Sequence, residues 1–353
     1  MLGILRFFLA SCVISFHLSA KIPNIGQLSV NFFYVISGYL ITLILNDIYK
    51  FRLKKFSLNR FLRLYPAYYS FTFLSLVLAI IPISGVTSSV FHSSWSGSQQ
   101  PFDILGNIFI FPWAFLSDQS VLAIPNLLYS EEPRLRLIPS TWSIAVEIVC
   151  YFILFIFTGR NIYTAIISFF LAALFHIYLN SSALNAGYIY YPFMSAMLPF
   201  SVGAIGCFLS KRIEKKYSLS FSMNKQFLSL AAIIFLFLFN WWLSLGSADF
   251  YRSLYFYTNN VIALFSIMIL HNSKPSDYFK KVCKILGDLS YPMFLIHYIA
   301  GYIGWHIIGM PNYLRGWDIF IMGYIISVLI SIACLIFIDQ PIQKIRNKIR
   351  HQE

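Results

Sequence analysis

Ten stretches of roughly 17–25 mostly apolar residues follow one another along this sequence, joined by short polar segments. They fall at 3–20, 29–47, 62–83, 142–158, 162–179, 192–209, 227–245, 254–271, 288–308 and 318–338. Each is long enough to cross about 30 Å of hydrocarbon as a helix, where every backbone polar group must be satisfied within the segment. Charged residues are 11% of the 353 and hydrophobic ones 58%, whereas a soluble domain carries about 25% charged residues. The fold expected is an all-α integral membrane protein, a bundle of about ten transmembrane helices. The longest interruption runs from about 84 to 141. Within it, "FDILGNIFIFPWAFL" (102–116) is apolar but short and holds Pro112, so it is expected as an interfacial or re-entrant segment.

The net charge of +13 does not point to nucleic acid, because it collects in short loops. Ten spans put both termini on one side. That side holds nineteen Lys and Arg residues, in the clusters at 50–60, 160, 211–225, 274–284 and 344–350, against five on the other, Lys21, Arg134, Arg136, Arg252 and Arg315. The positive-inside rule then makes both termini cytoplasmic. The apolar N-terminal run lacks a basic region ahead of it and is expected as a retained first span. Residues 1–345 read as a single transmembrane domain, and 346–353 as a short basic cytoplasmic tail. The five cysteines are scattered singly, with neither zinc-ligand spacing nor a disulfide framework, and no metal site is expected.

Ionisable groups inside such spans are costly, so each needs a partner or a task. Arg6 and His17 both lie in the first span, eleven residues apart. At about 100° per residue this is three turns plus roughly 20°, so they share one face about 16 Å apart, with the small Ala10 and Val13 between them. Snorkelling to lipid phosphate accounts for Arg6 equally well, and an interhelical hydrogen bond for His17. Glu147, in "STWSIAVEIVCYF", is the acidic residue set deep within a span. Its depth matches that of His17, and a carboxylate beside an imidazole suits a general base; a structural bond to Arg or Tyr is the other reading. Arg60 and Arg63, in "FSLNRFLRLYPAYYS", share a helix face at the cytoplasmic start of the third span. They suit bidentate phosphate binding, and also ordinary charge anchoring. His297 lies mid-span in "LSYPMFLIH", and His176 reads as packing. His92, His271, His306 and His351 sit in loops or near helix ends and carry little weight.

These stretches together resemble the membrane-bound acyltransferase family 3, the sugar O-acyltransferases of bacterial surface polysaccharides. The family's first helix carries an arginine or lysine, ten residues, then a histidine, as Arg6 and His17 do here. "NFFYVISGYLIT" is similar to its second helix, "RFLRLYPAYY" to its arginine-x-x-arginine motif, "STWSIAVEIVCYF" to its fourth helix and "SYPMFLIH" to its late tyrosine-proline-to-histidine segment. "FIDQPIQKIR" resembles its usual ending, with Asp339 where glutamate is commoner. The resemblance implies a cytoplasmic acyl-CoA donor, with acetyl as the expected group and no metal, and a hydroxyl of a surface glycan or its lipid-linked precursor as acceptor. It implies a multi-pass protein of the bacterial inner (cytoplasmic) membrane.

On that reading His17 is the catalytic base and Glu147 its orienter. Arg6, Arg60 and Arg63 bind donor phosphate, and Ser37, Trp142 and His297 line the pocket. The partners expected are the bilayer, acyl-CoA and a glycan, and no nucleic acid. Two other functions use the same residues. A transporter or flippase of polysaccharide precursors also needs intramembrane ionisable groups, though no inverted repeat is evident. A non-catalytic scaffold fits the Glu147 and His17 pairing poorly.

Overall fold

The computed structural model describes residues 1–81, 83–97, 100–117, 128–129, 133–182, 184, 186–216, 223–271 and 275–351. The helices are α1 Leu2–Ser19, α2 Ile25–Ile44, α3 Leu53–Ile80, α4 Pro101–Phe109, α5 Thr141–Ile153, α6 Ile162–Ser181, α7 Phe193–Lys216, α8 Met223–Ser244, α9 Leu254–His271, α10 Asp277–Ile307, α11 Trp317–Cys334 and α12 Gln340–His351. The protein is an all-α membrane protein; a two-residue parallel pairing, Leu116–Ser117 with Leu128–Tyr129, is the exception among the described residues. Eight helices there are long and apolar enough to cross a membrane. The third and ninth expected spans lie in α3 and α10. These have 28 and 31 residues, or about 42 and 46 Å of helix, but their first turns are charged. Their starts lie well before the expected 62 and 288, because Lys54, Lys55, Lys280 and Lys281 are good helix formers. Three helices pass into a π turn at their C-terminal ends: α2 at Leu45–Tyr49, α5 at Leu154–Thr158 and α11 at Leu335–Asp339.

The chain forms two compact units. The first comprises Met1–Leu9, Asn24–Phe51 and Glu147–Gly287. Its centre is the crossing of α2 and α7. A Cβ on Gly38 would meet the Phe200 backbone, and one on Gly203 the Val35 carbonyl. Glycine at both positions therefore lets the two backbones touch, as small residues do between membrane helices. Phe200, Ala204 and Cys207 on α7 are fully buried there. A polar tie adds direction: Asn259 of α9 donates to Leu28 O at 2.9 Å and to Asn31 Oδ1 at 2.8 Å, both on α2.

The second unit comprises Ala10–Pro23, Arg52–Val146 and Asp288–Glu353. The apolar 102–116 segment takes the short form expected of it. α4 stops at Ile110, whose φ is 59°, and Pro112 opens a 3₁₀ turn over Phe111–Ala114. A helix end inside a membrane protein leaves orphan carbonyls. Here Tyr68, Tyr69 and Tyr65 of α3 donate to the carbonyls of Asn107, Ile108 and Phe109, at 2.7, 2.9 and 2.5 Å. The tyrosines of "LYPAYY" thus cap the broken helix. Asp103, fully buried, holds Arg134 at 3.1 Å and accepts the Gln100 and Leu135 backbone N–H groups. The described parts of the long connection are therefore held in place, and Tyr302 of α10 adds a tie by donating to Val86 O at 2.6 Å.

Candidate active site

His17 occupies the last turn of α1, half-buried, above the fully packed stripe of Ala10 and Val13. In the second unit it meets α10. Its Nδ1 is hydrogen-bonded to the Tyr298 hydroxyl at 2.6 Å, and its ring stacks on His297 with centroids 5.2 Å apart. His297 is fully buried. Its Nδ1 lies 2.7 Å from Phe294 O; a carbonyl only accepts, so the proton sits on Nδ1 and the Nε2 lone pair is available. That Nε2 has no hydrogen-bond partner among the described residues. His92 comes from the folded connection, its ring 4.5 Å from that of Tyr298. Its Nδ1 accepts the Ser94 N–H at 3.0 Å, which leaves its proton on Nε2. The His297 lone pair and the Tyr298 phenol, both beside His17, can accept and pass protons.

Glu147 lies in the first unit. Ser37 of α2 donates to its Oε1 at 2.5 Å, and Tyr151, one turn further along α5, donates to the same oxygen. Two hydroxyls satisfy a carboxylate where water is scarce. Matching depth in the sequence pointed to Glu147 as the partner of His17. The partner on His17 Nδ1 is Tyr298, and Glu147 has its own hydroxyl donors. The structure does bring Ser37 and Glu147 together, and likewise His17 and His297. Trp142, in the first turn of α5, is half-buried in the second unit.

The arginines separate in the same way. Arg6 is half-buried in the first unit. In the second, Arg63 reaches Asp288 at 3.4 Å and Asp339 at 3.7 Å, with 14% of its side chain exposed. Its charge is therefore balanced by protein, which corrects the expectation that it and Arg60 present two equivalent guanidiniums. Arg60 donates instead to the neutral Asn59 Oδ1 at 3.3 Å, which also accepts from Arg346 Nε at 3.2 Å. Sequence reasoning missed Arg346, which reads as tail, and His92, which reads as loop. Tyr298 had a visible signal: it adjoins His297 in the segment that resembles the family's late histidine motif.

A family model described as an acyltransferase domain matches residues 2–336. The chain belongs to this acyltransferase family. The O-acetyltransferase OatA of Staphylococcus aureus strains NCTC 8325 / PS 47 and COL is similar to it, each 26% identical over 376 residues. The alignment covers 96% of the present chain and 56% of each relative, so the chain spans little more than half the length of the curated relatives it matches. No solved structure matches it. The family match spans His17, His92, His297 and Tyr298 of the second unit and Glu147 of the first.

Proposed function

We propose that the protein moves an acetyl group from acyl-CoA to a hydroxyl of a glycan, or of its lipid-linked precursor, in the bacterial cytoplasmic membrane. The observation that carries this reading is the His17, Tyr298 and His297 constellation. In the reaction the acceptor oxygen attacks the thioester carbon, its proton passes to His17, and the carbon–sulfur bond breaks. The CoA thiolate leaves and recovers a proton, so the base is reset. Tyr298 takes the orienting role expected of Glu147, holding the imidazole by Nδ1 so that Nε2 faces the hydroxyl. His297 Nε2 is a second acceptor beside it. Arg60 and Arg346 are the cations we assign to the donor's phosphates, and Arg6 keeps the donor role that the family resemblance implies. Glu147, fixed by Ser37 and Tyr151, and Trp142 each keep the role that the family resemblance implies. The family membership and the name of the S. aureus relatives support acetyl as the group.

The ten-span arrangement with cytoplasmic termini places the basic clusters on the donor's side and His17 toward the other. The test is the purified full chain in nanodiscs, supplied with acetyl-CoA and an oligosaccharide acceptor. Release of CoA together with an acceptor heavier by one acetyl group is expected. Movement of a lipid-linked glycan across the bilayer with no CoA released would make the protein a transporter instead.

A further inference from the structure

The first unit contains a built site that the proposed reaction does not use. A cavity of about 490 Å³ lies between α6, α7 and α9, within the 300–1,000 Å³ typical of small-ligand sites. Its polarity is graded along the helices. Asn180, His176, Tyr257 and Asn260 line the end where α6 finishes and α9 begins. Phe169, Ala173, Val202 and Leu264 line the other end, about 16 Å further along α6.

Three of the four polar groups are mutually bonded. His176 contacts the Tyr257 hydroxyl at 3.2 Å and Ser195 O at 3.0 Å, and Asn180 donates to Tyr257 at 2.8 Å. Asn260 is the exception. It is 5% exposed, and neither its Oδ1 nor its Nδ2 has a hydrogen-bond partner among the described residues. A buried primary amide with donor and acceptor both unmet is costly, and the cost vanishes if a ligand fills the cavity and bonds it.

The opening identifies the ligand's source. Ile177 and Val261 flank it, 63% and 52% exposed on helices apolar enough to span, so the cavity opens to hydrocarbon rather than to water. A molecule arriving from there, polar at one end and apolar for the remaining length, is a membrane lipid. We propose that this cavity is a specific lipid site. One acyl chain runs along Ala173 toward Phe169. The glycerol region lies at the polar end, where an ester carbonyl accepts from Asn260 Nδ2 and a hydroxyl donates to Oδ1.

The test uses the full chain in nanodiscs of phosphatidylethanolamine and phosphatidylglycerol, doped with a phospholipid bearing a diazirine on its acyl chain. After illumination, labelled peptides are mapped by mass spectrometry. In the wild type, label is expected to concentrate on 169–177 and 257–264, above that on α8, whose Phe235 and Phe239 are exposed and report annular lipid. Ala173→Trp fills the cavity and should bring that label down to the α8 level. Leu264→Trp fills it from α9 and serves where the first variant does not fold. Asn260→Leu keeps the shape, removes the hydrogen bonds and should also lower the label. Pocket label no stronger than on α8, or unchanged by a cavity-filling variant that folds, overturns the proposal.

Discussion

Tyr298 and the arginines show how a residue's partners decide its role. The Tyr298 hydroxyl holds His17 in one orientation, and a net hydrogen bond is worth about 0.5–1.5 kcal/mol. Tyr298→Phe is therefore expected to lower turnover about 2- to 10-fold while leaving acyl-CoA affinity unchanged; steady-state kinetics with a separate binding isotherm checks both. Arg60 and Arg63 should part company. Arg63→Ala removes the cation that Asp288 and Asp339 share and is expected to lower the thermal midpoint in detergent. Arg60→Ala should leave that midpoint near wild type and raise the KM for acyl-CoA. Equal effects of the two variants on KM would restore the two-arginine phosphate site that the spacing alone suggests. The sequence placed both arginines on one face, but it could not show that aspartates from α10 and the end of α11 close on Arg63. In the same way, depth along a helix is legible from residue count, while the direction a side chain faces among ten helices is not. That is why Glu147 and His17 read as partners and have Ser37, Tyr151 and Tyr298 instead.

At the scale of elements, the apolar runs were readable because a span must satisfy its own backbone. The helices that begin early, α3 and α10, were less so, since their charged first turns look like loop. The connection between α3 and α5 was least legible. Its order comes from Asp103, which gathers Arg134 and two backbone N–H groups across thirty residues, and from tyrosines of α3 capping α4. No local pattern announces either. Asp103 and Arg134 are 0% and 2% exposed, and removing one member of a buried pair costs about 3–5 kcal/mol. Arg134→Ala is expected to expose this connection to protease under conditions where the wild type resists, and to depress activity through His92. Cleavage of wild type and variant at equal rates would show that the pair does not hold the connection.

For the molecule as a whole, charge distribution makes the sharpest statement. Nineteen basic residues against five, read by the positive-inside rule, predict ten spans with both ends in the cytoplasm. Reporters fused after Lys216 and after Lys281 should report cytoplasm, and one after Leu184 the opposite side. A non-cytoplasmic signal after Lys216 would change the number of spans crossed before α8. On this prediction His17, near the end of the first span, falls toward the side away from the basic loops, and the proposed reaction puts acyl transfer there. The most direct measurement of the central claim is single-turnover acetyl transfer by His17→Ala in nanodiscs, with acyl-CoA binding measured in parallel. General-base catalysis is worth about 10²–10⁴-fold, so the variant should bind donor normally and lose at least about a hundredfold in transfer rate, with Glu147→Gln losing less. Transfer by His17→Ala at close to the wild-type rate would contradict the account and leave His297 as the base.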